Sequence, residues 1–365
     1  MASNNKKTVL FPVHQREGAR IAPFAGFDMP IQYSGIIDEH LRTRRETGIF
    51  DTCHMGEFII SGAKAITDLD NILTCNVASL QIGKCRYGMM CTPQGGVIDD
   101  LVVYKLSPDR CMLVVNAGNR ADDFDWIEKH ISDETTLEDI SETTAKIDVQ
   151  GPMSRSVVSE VIQEPLEDIR YFAFTISHYR DTEILISRTG YTGELGFEIY
   201  LPPALAENFW GNCREAGATA AGLGARDTLR LEIGLPLYGH ELTLNRNAAE
   251  SGFDFAIAKD KDFIGASEVR NRENILYALK GLKIDGKRSA RHKDIILSPK
   301  TGTEIGWITS ASYAPSLEQP IAMAYINRNA IDELDNEVVI NRGKKTVKAS
   351  LVQLPFYKDG TARSG

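Results

Sequence analysis

Two neighbouring carboxylates, Asp99 and Asp100, stand between a Gly-Gly turn and an apolar run in the sequence GGVIDDLVVY. Neighbouring residues on a β-strand point to opposite faces, so one aspartate can face a pocket while the other faces away. A carboxylate at the edge of a buried sheet can have a shifted pKa, and it can transfer protons or stabilise a cation. An ordinary Asx turn before a strand has the same spacing, and both interpretations stay open at this point.

A second segment, RTGYTGELGFEIY at 188–200, combines three glycines with Glu194 and Glu198. Glycine lets the backbone approach a ligand closely. The two glutamates are an even number of residues apart, so we expect them on one face of a short strand. A carboxylate in an apolar pocket can accept two parallel N–H bonds from a planar edge such as a guanidinium or a pterin. A glycine-rich hairpin with solvated acids is the alternative.

A third segment, at 222–239, contains Arg226, Arg230 and Glu232 within an apolar helical pattern. Arginines in such a setting are usually paired, or they bind an anion or a ring. A structural ion pair with Asp227 or Glu232 is the simpler alternative.

The dipeptide Cys53-His54 brings together a potential nucleophile and a potential base. Adjacent residues on a strand point apart, so these two side chains cannot pair with each other. We therefore interpret His54 as a hydrogen-bonded core residue and the following Met55 as a possible wall of an apolar ligand site.

The elements that must position these residues form a mixed helix and strand pattern. Short polar turns such as 106–110 join successive strands, which favours antiparallel pairing and an α+β class over a doubly wound sheet. No GxGxxG follows a first strand, which argues against a dinucleotide fold. The expected helices are 37–47, 119–131 and 154–162, and the expected strands are 56–60, 101–104, 111–115 and 184–187.

The pattern changes after about residue 275, where helical signals fade and short strand-like runs take over. These runs are 278–284, 304–309, 321–325, 338–340 and 347–352. Turn residues separate them at intervals typical of a small β-barrel. We expect a domain boundary near Tyr277, with one domain at 1–276 and a second at 277–365.

Composition excludes several classes of protein. The chain has 365 residues, 41 Lys and Arg against 50 Asp and Glu, and a net charge of −9, which argues against binding nucleic acid through phosphate contacts. No uninterrupted apolar run is long enough for a membrane span, and the polar start lacks a secretory h-region. Six cysteines form no CxxC pair and no zinc spacing, so we expect reduced thiols in the cytoplasm and no metal site.

A basic cluster at 287–293 includes Arg288 and Arg291. A solvated loop is the simplest interpretation of such a cluster. The alternative is an electrostatic docking rim for an acidic partner.

Taken in order along the chain, these segments resemble the glycine-cleavage T-protein family, the aminomethyltransferases. The matching segments are 24–33, 39–40, 50–51, 54–55, 95–104, 149–152, 189–199, 222–239, 262–265 and 306–324. Each motif alone is weak, but the ordered set is specific for the superfamily.

The resemblance implies three subdomains around a central folate channel. Two of them are interleaved within the folate-binding region 1–276, and the last is a small β-barrel at 277–365. It also implies a reaction in which the aminomethyl group on the lipoyl arm of H-protein supplies carbon to tetrahydrofolate. The products are 5,10-methylenetetrahydrofolate, ammonia and dihydrolipoyl protein. The partner would be lipoylated H-protein, with tetrahydrofolate as co-substrate and no metal.

The resemblance further implies roles for individual residues. Asp100 matches the catalytic aspartate, which orients N10 of the folate and stabilises an iminium-like intermediate, with Asp99 as its structural neighbour. Glu198 matches the acid that binds the pterin edge, and Arg226 matches a folate-contacting arginine. The residues expected to line the channel are Tyr87, Met55, Val115, Asn116 and Tyr191.

Some residues depart from the family pattern. The tract at 309–315 reads TSASYAP, and Phe255 stands where the family has a tryptophan. These positions are expected to meet the carbon donor, so a tetrahydrofolate-dependent demethylase of a small sulfonium, amine or ether stays an alternative. A non-catalytic relative in iron–sulfur assembly is a third class, but its Lys-Gly-Cys-Tyr signature is absent from the sequence.

Overall fold

The computed structural model of the chain describes residues 5–343 and 345–364. Residues 1–4 of the polar start and of the first expected domain lie outside this range, as do Lys344 and Gly365 of the second. The helices are α1 (Phe11–Arg16), α2 (Ile36–Arg45), α3 (Ala65–Ile72), α4 (Arg120–His130), α5 (Ser154–Ile162), α6 (Pro203–Glu215), α7 (Leu223–Glu232), α8 (Ala266–Arg270) and α9 (Arg328–Ile331). In the described part of the chain, none of them is long and apolar enough to cross a membrane.

The strands precede, separate and follow these helices. They are β1 (Arg20–Phe24), β2 (Phe27–Gln32), β3 (Gly48–Asp51), β4 (Gly56–Gly62), β5 (Cys85–Cys91), β6 (Val97–Ser107), β7 (Arg110–Val115), β8 (Thr135–Asp139), β9 (Ala145–Gln150), β10 (Phe174–Tyr179), β11 (Thr182–Ser187), β12 (Gly196–Leu201), β13 (Thr219–Ala220), β14 (Tyr277–Ile284), β15 (Ile295–Leu297), β16 (Glu304–Ala314), β17 (Gln319–Asn327), β18 (Glu337–Asn341) and β19 (Thr346–Val352).

Two mainly antiparallel sheets form the first part of the molecule. One has five strands in the order β5-β6-β7-β4-β8, and the other has six in the order β10-β11-β12-β9-β3-β13. Only the short pair β13 and β3 is parallel among the pairings of these sheets. The chain leaves the six-stranded sheet after β3, builds the five-stranded sheet and returns at β9, so the two units are interleaved in sequence.

The faces of the five-stranded sheet have different neighbours. Tyr104 on β6 packs in an apolar cluster with Leu185 and Tyr200 of the six-stranded sheet. Leu101 and Val103, on the other face of β6, pack in the core that contains residues of α3 and α4. Strand alternation thus divides β6 into one side towards the second sheet and one side towards the helices.

The last part of the chain is a closed barrel with the strand order β14-β17-β16-β15-β18-β19, closed by pairing of β14 with β19. The predicted α+β class, with antiparallel sheets and a C-terminal barrel, is confirmed. Among the barrel strands, the one missing from the prediction is β15, which has only three residues and pairs on both sides. A run so short carries no readable periodicity.

A buried ion cluster joins the barrel to the preceding part of the chain. Arg44 on α2 lies 3.0 Å from Glu194 and 2.9 Å from Glu232 of α7, and all three side chains are almost completely buried. Glu232 also accepts a 2.8 Å hydrogen bond from the backbone N–H of Ser316, between β16 and β17. Each charge in the cluster therefore depends on the others for its compensation.

Replacing Arg44 by Met is expected to lower the free energy of unfolding by about 3–5 kcal/mol, because two buried carboxylates lose their cation. Arg45→Met is the matched control, since Arg45 is exposed on the same helix and such surface changes stay within about 0.5 kcal/mol. Urea unfolding followed by circular dichroism measures both variants. Equal stability of the two variants would contradict the role of the cluster.

Candidate functional site

Asp100 lies on β6 and is held by residues of the neighbouring strands. Its Oδ2 accepts a 3.0 Å hydrogen bond from the Tyr87 hydroxyl on β5, and its Oδ1 accepts a 3.0 Å bond from Nδ2 of Asn116, just after β7. Burial and the neighbouring charge of Asp99 raise the pKa of Asp100 to about 7. The carboxyl group can therefore both hold and release a proton near neutral pH.

Asp99 points to the other face of β6 and is completely buried. It accepts hydrogen bonds from Asn116 N at 3.0 Å, Asn116 Nδ2 at 2.8 Å and Asn119 Nδ2 at 3.0 Å. The amide of Asn116 thus contacts both aspartates. Asp100 is the partly accessible member of the pair, and Asp99 is its buried support.

Glu198, on β12, is the acidic centre of a second group of residues. Its Oε1 accepts a 2.8 Å bond from Lys146 Nζ, and its Oε2 accepts bonds from Thr189 Oγ1 at 2.5 Å and the Tyr104 hydroxyl at 3.1 Å. Tyr104 comes from β6, so this group bridges the two sheets. The Tyr200 hydroxyl also donates to Oε2, at 3.5 Å, so the acceptor position that remains is on Oε1.

An alternating row of charges continues from Glu198 to Arg226. Lys146 Nζ lies 2.7 Å from Asp148 Oδ1, and Arg226 Nη1 donates to Asp148 Oδ2 at 2.8 Å. Burial alone would lower the pKa of Lys146, but Asp148 and Glu198 hold it above its usual range. Burial opposes ionisation of Asp148 too, but Lys146 and Arg226 hold its pKa below the usual range. Lys146 and Asp148 are therefore both charged at neutral pH.

Tyr191 connects the two ends of the site. The guanidinium of Arg226 lies 4.9 Å from the centre of the Tyr191 ring, and the Tyr191 hydroxyl donates to the carbonyl of Pro236. Burial raises the pKa of this hydroxyl, and the charges of both Asp100 and Arg226 act on it. Tyr191 therefore lies within electrostatic reach of both groups.

The remaining residues expected in the channel differ in their positions. Met55 packs against the apolar cluster between the sheets. Val115 does not: its side chain lies in the core that contains residues of α3 and α4. Strand alternation is the reason, because on β7 the neighbouring Val114 is the residue in the cluster between the sheets. The Val115 side chain therefore points away from the cluster between the sheets, and its place in the folate channel stays a prediction.

His54 is buried, and burial lowers its pKa to about 4, so its imidazole is neutral. Phe24 contacts its ring edge-on at 5.6 Å. The expectation of a hydrogen-bonded core histidine fails at Nδ1, which has no partner among residues 5–343 and 345–364.

The basic cluster is separate from these groups. Arg288 and Arg291 are exposed in the loop between β14 and β15. The next residue, His292, stacks on His240 at 4.5 Å and contacts the carbonyl of Thr309 at 2.7 Å. The cluster therefore adjoins the tract in which the sequence departs from the family pattern.

Comparison with known families identifies the chain. Residues 10–261 match the GCVT N-terminal domain, and residues 278–358 match the glycine cleavage T-protein C-terminal barrel domain. The chain belongs to the glycine cleavage T-protein family. Members of this T-protein family are transferase enzymes, so the predicted aminomethyltransferase class is confirmed.

Individual T-protein relatives match over nearly their full length. An aminomethyltransferase of Thermotoga maritima is 39% identical, over 98% of this chain and 99% of the relative. That of Chloroherpeton thalassium is 40% identical, over 96% and 98%. The crystal structure of the glycine cleavage system aminomethyltransferase T from Bartonella henselae is 31% identical and superposes with a TM-score of 0.91, over 98% and 99% of the two chains.

Sequence reasoning missed the charged row behind Glu198 in this T-protein family member. Lys146 and Asp148 alternate along AKIDVQ, in which every residue is buried. Two charges at positions i and i+2 of an otherwise apolar strand were the available signal. Glu194, expected on one face with Glu198, lies before β12 and pairs with Arg44 instead. No cluster of metal-ligand side chains occurs within the described ranges.

Proposed function

We propose that the chain transfers the one-carbon unit of the aminomethyl group carried on lipoylated H-protein to tetrahydrofolate. The products are 5,10-methylenetetrahydrofolate, ammonia and the dihydrolipoyl carrier. One observation supports the proposal most: Asp100, whose pKa is raised to about 7, is on the same face of β6 as Tyr104, and Tyr104 donates to Glu198. Family membership supports the same chemistry.

The reaction balances without an oxidant or a metal. The transferred carbon loses its bonds to sulfur and to nitrogen and gains bonds to two nitrogens. Two protons leave those nitrogens, one to the departing ammonia and one to the thiolate. Tetrahydrofolate supplies the two nucleophilic nitrogens, and the protein must position them and move protons.

The residues around Glu198 fit the N–H donors of a pterin. One acceptor position remains at Oε1, which accepts from Lys146 Nζ. Oε2 accepts from Thr189 and from the hydroxyls of Tyr104 and Tyr200, at 3.1 and 3.5 Å. Two parallel N–H donors of a pterin edge would therefore use the position at Oε1 and replace a tyrosine hydroxyl at Oε2.

Asp100 would act at the reacting end. An ionised carboxylate beside the transferred carbon stabilises the positive charge that develops there, and its effect is large where water is excluded. The Tyr87 hydroxyl and the Asn116 amide hold the carboxylate in place, so little reorganisation is needed as charge develops.

The pH dependence of kcat/KM tests the assigned state of Asp100, because kcat/KM reports ionisations of the free enzyme. The ionised form is the active one in this account, so kcat/KM is expected to rise with pH and to reach half of its plateau at about pH 7. The residual rate of Asp100→Asn is expected not to show this rise with pH. A wild-type profile with no ionisation between about pH 5 and 9 would contradict the assignment.

A demethylase remains the second candidate because of Phe255. Its side chain is 74% exposed, and its ring lies 6.0 Å from that of Tyr87, which bonds Asp100. The departure from the family tryptophan therefore lies on an exposed side chain beside the tyrosine that bonds Asp100. Turnover with lipoylated H-protein, with its unlipoylated form and with small methylated donors separates the candidates. Strict dependence on the lipoyl group supports the aminomethyltransferase.

Reversing the charge of Arg288 and Arg291 tests the docking site for H-protein. The double change to Glu is expected to raise KM for the carrier by about tenfold, because exposed charges steer an acidic partner, and to leave folate affinity unchanged. Lys64→Glu with Lys129→Glu, two exposed positions at α3 and α4, is the matched control. The same KM in both double variants would remove the cluster from docking.

We further propose a cytoplasmic location and a domain boundary between residues 276 and 277. The six cysteines are free thiols, which a reducing compartment preserves. The boundary is supported by the start of β14 at Tyr277 and by the gap between the two matched family domains.

A further inference from the structure

A pair of acids lies behind Asp100, on the side of β6 that faces the helices. Asp99 on β6 and Asp123 on α4 are both completely buried. Asn119, at the start of α4, donates to Asp99 at 3.0 Å and accepts from the backbone N–H of Asp123, which brings the Asp123 carboxyl beside that of Asp99. No N–H or O–H donor from the described residues reaches either Asp123 oxygen.

Only one member of this pair can be ionised, because two buried like charges in contact repel each other strongly. Asp99 receives three N–H bonds from Asn116 and Asn119, which favour its charged form. Asp123 receives none, so the proton belongs to Asp123. Burial and the charge of Asp99 raise the pKa of Asp123 to about 11.

The surroundings of Asp123 agree with this assignment. The titratable groups that act most on its pKa are Asp99 and Asp100 of β6 and Asp122 of its own helix, and Tyr238 lies within electrostatic reach of it. All of these are acidic or neutral. The groups that face Asp100 are likewise Asp99, Tyr87, Tyr191 and Tyr238.

We propose that Asp123 is a positioning residue. Its protonated carboxyl donates a hydrogen bond to Asp99 and thereby holds Asn116 and the catalytic Asp100 in place. The hydrogen bonds run from Asp123 to Asp99, from Asn116 to Asp99 and from the same amide to Asp100. The arrangement keeps one negative charge behind Asp100, which sustains its raised proton affinity. The catalytic part of this inference rests on the proposed function.

Two substitutions that keep the branched shape of the side chain test the hydrogen bond. Asp123→Asn retains an N–H donor, whereas Asp123→Leu has none. The Leu variant is expected to lose about tenfold or more in kcat, the scale of a hydrogen bond to a charged group, while Asn restores most of the rate. The Asn variant also keeps the wild-type midpoint of the pH–rate profile, because it is neutral like the protonated acid. A lowered midpoint in Asp123→Asn, or equal rates in Asn and Leu, would overturn the proposal.

Thermal stability tests the position of the proton without folate or H-protein. A folded-state pKa raised above the unfolded value makes an acid lose stabilisation as pH rises above about 4. Asp123→Asn lacks this loss, so its Tm is expected to equal that of the wild type near about pH 4 and to exceed it near about pH 8. Asp122→Asn, exposed on the same helix, is the control and shows no such pH dependence.

The two tests separate the inference from the proposed function. A Tm difference independent of pH would place no proton on Asp123 and overturn the inference, whatever the protein catalyses. If Asp123→Asn shows the expected Tm shift but the wild type shows no turnover, the proposed function is contradicted and the protonated state of Asp123 is confirmed. The Asn variant preserves the volume of the side chain and an N–H donor. If the Leu variant misfolds, the pH–rate midpoint and the Tm of the Asn variant therefore still decide the two tests.

Discussion

Asp100→Asn is expected to lower kcat by about 10²-fold or more while tetrahydrofolate stays bound. Asparagine keeps the shape of the side chain: its Oδ1 can still accept from Asn116 Nδ2, and its Nδ2 can donate to the hydroxyl oxygen of Tyr87. It carries no charge, so the positive charge developing on the transferred carbon loses its counterion. Single-turnover rates with aminomethyl-loaded H-protein measure the chemical step, and titration calorimetry measures folate affinity.

Asp125→Asn is the matched control for this variant, because Asp125 is exposed on α4. Its rate is expected to equal that of the wild type. Near-normal turnover in Asp100→Asn would remove Asp100 from the mechanism. Loss of folate binding would instead make it a binding residue.

Glu198→Gln is expected to weaken tetrahydrofolate binding by about 1.5–3 kcal/mol, which is roughly 10- to 150-fold in Kd. The amide replaces one acceptor oxygen with a donor, so it cannot accept a pair of N–H bonds. It also removes one of the two carboxylates that neutralise Lys146, although Asp148 remains 2.7 Å away. The chemical step, measured at saturating folate, is expected to change much less than Kd.

The control for this variant is Glu183→Gln, at an exposed position of the adjacent strand β11. Equal folate affinity in the two variants would mean that Glu198 only balances the charge of Lys146. We therefore expect separate effects of the two substitutions: Asp100→Asn lowers kcat, and Glu198→Gln raises Kd for tetrahydrofolate.

Much of the fold could be predicted from patterns within short segments. Alternating runs bounded by turn residues indicated the barrel, and the helical period at 119–131 indicated α4 (Arg120–His130). The interleaving of the two sheets could not be predicted that way. It depends on pairing of β3 with β9, which are separated by the whole five-stranded sheet.

The candidate site was predictable in residue type more than in placement. Alternation required Asp99 and Asp100 to face opposite ways, but only the packing of α4 against one face of the sheet determines which aspartate it buries. The same limit explains Val115, whose neighbour Val114 faces the second sheet. The row of charges from Glu198 to Arg226 was missed because its members lie on β9, β12 and α7, which are far apart in sequence.

The most direct test of the account is a turnover assay with defined components. Purified protein, tetrahydrofolate and aminomethyl-loaded, lipoylated H-protein are combined, and 5,10-methylenetetrahydrofolate and ammonia are measured together. The account predicts both products in equal amounts, with neither formed when the lipoylated carrier is omitted. Tight binding of tetrahydrofolate without formation of either product would contradict the transfer. It would favour a small methylated donor that binds near Phe255.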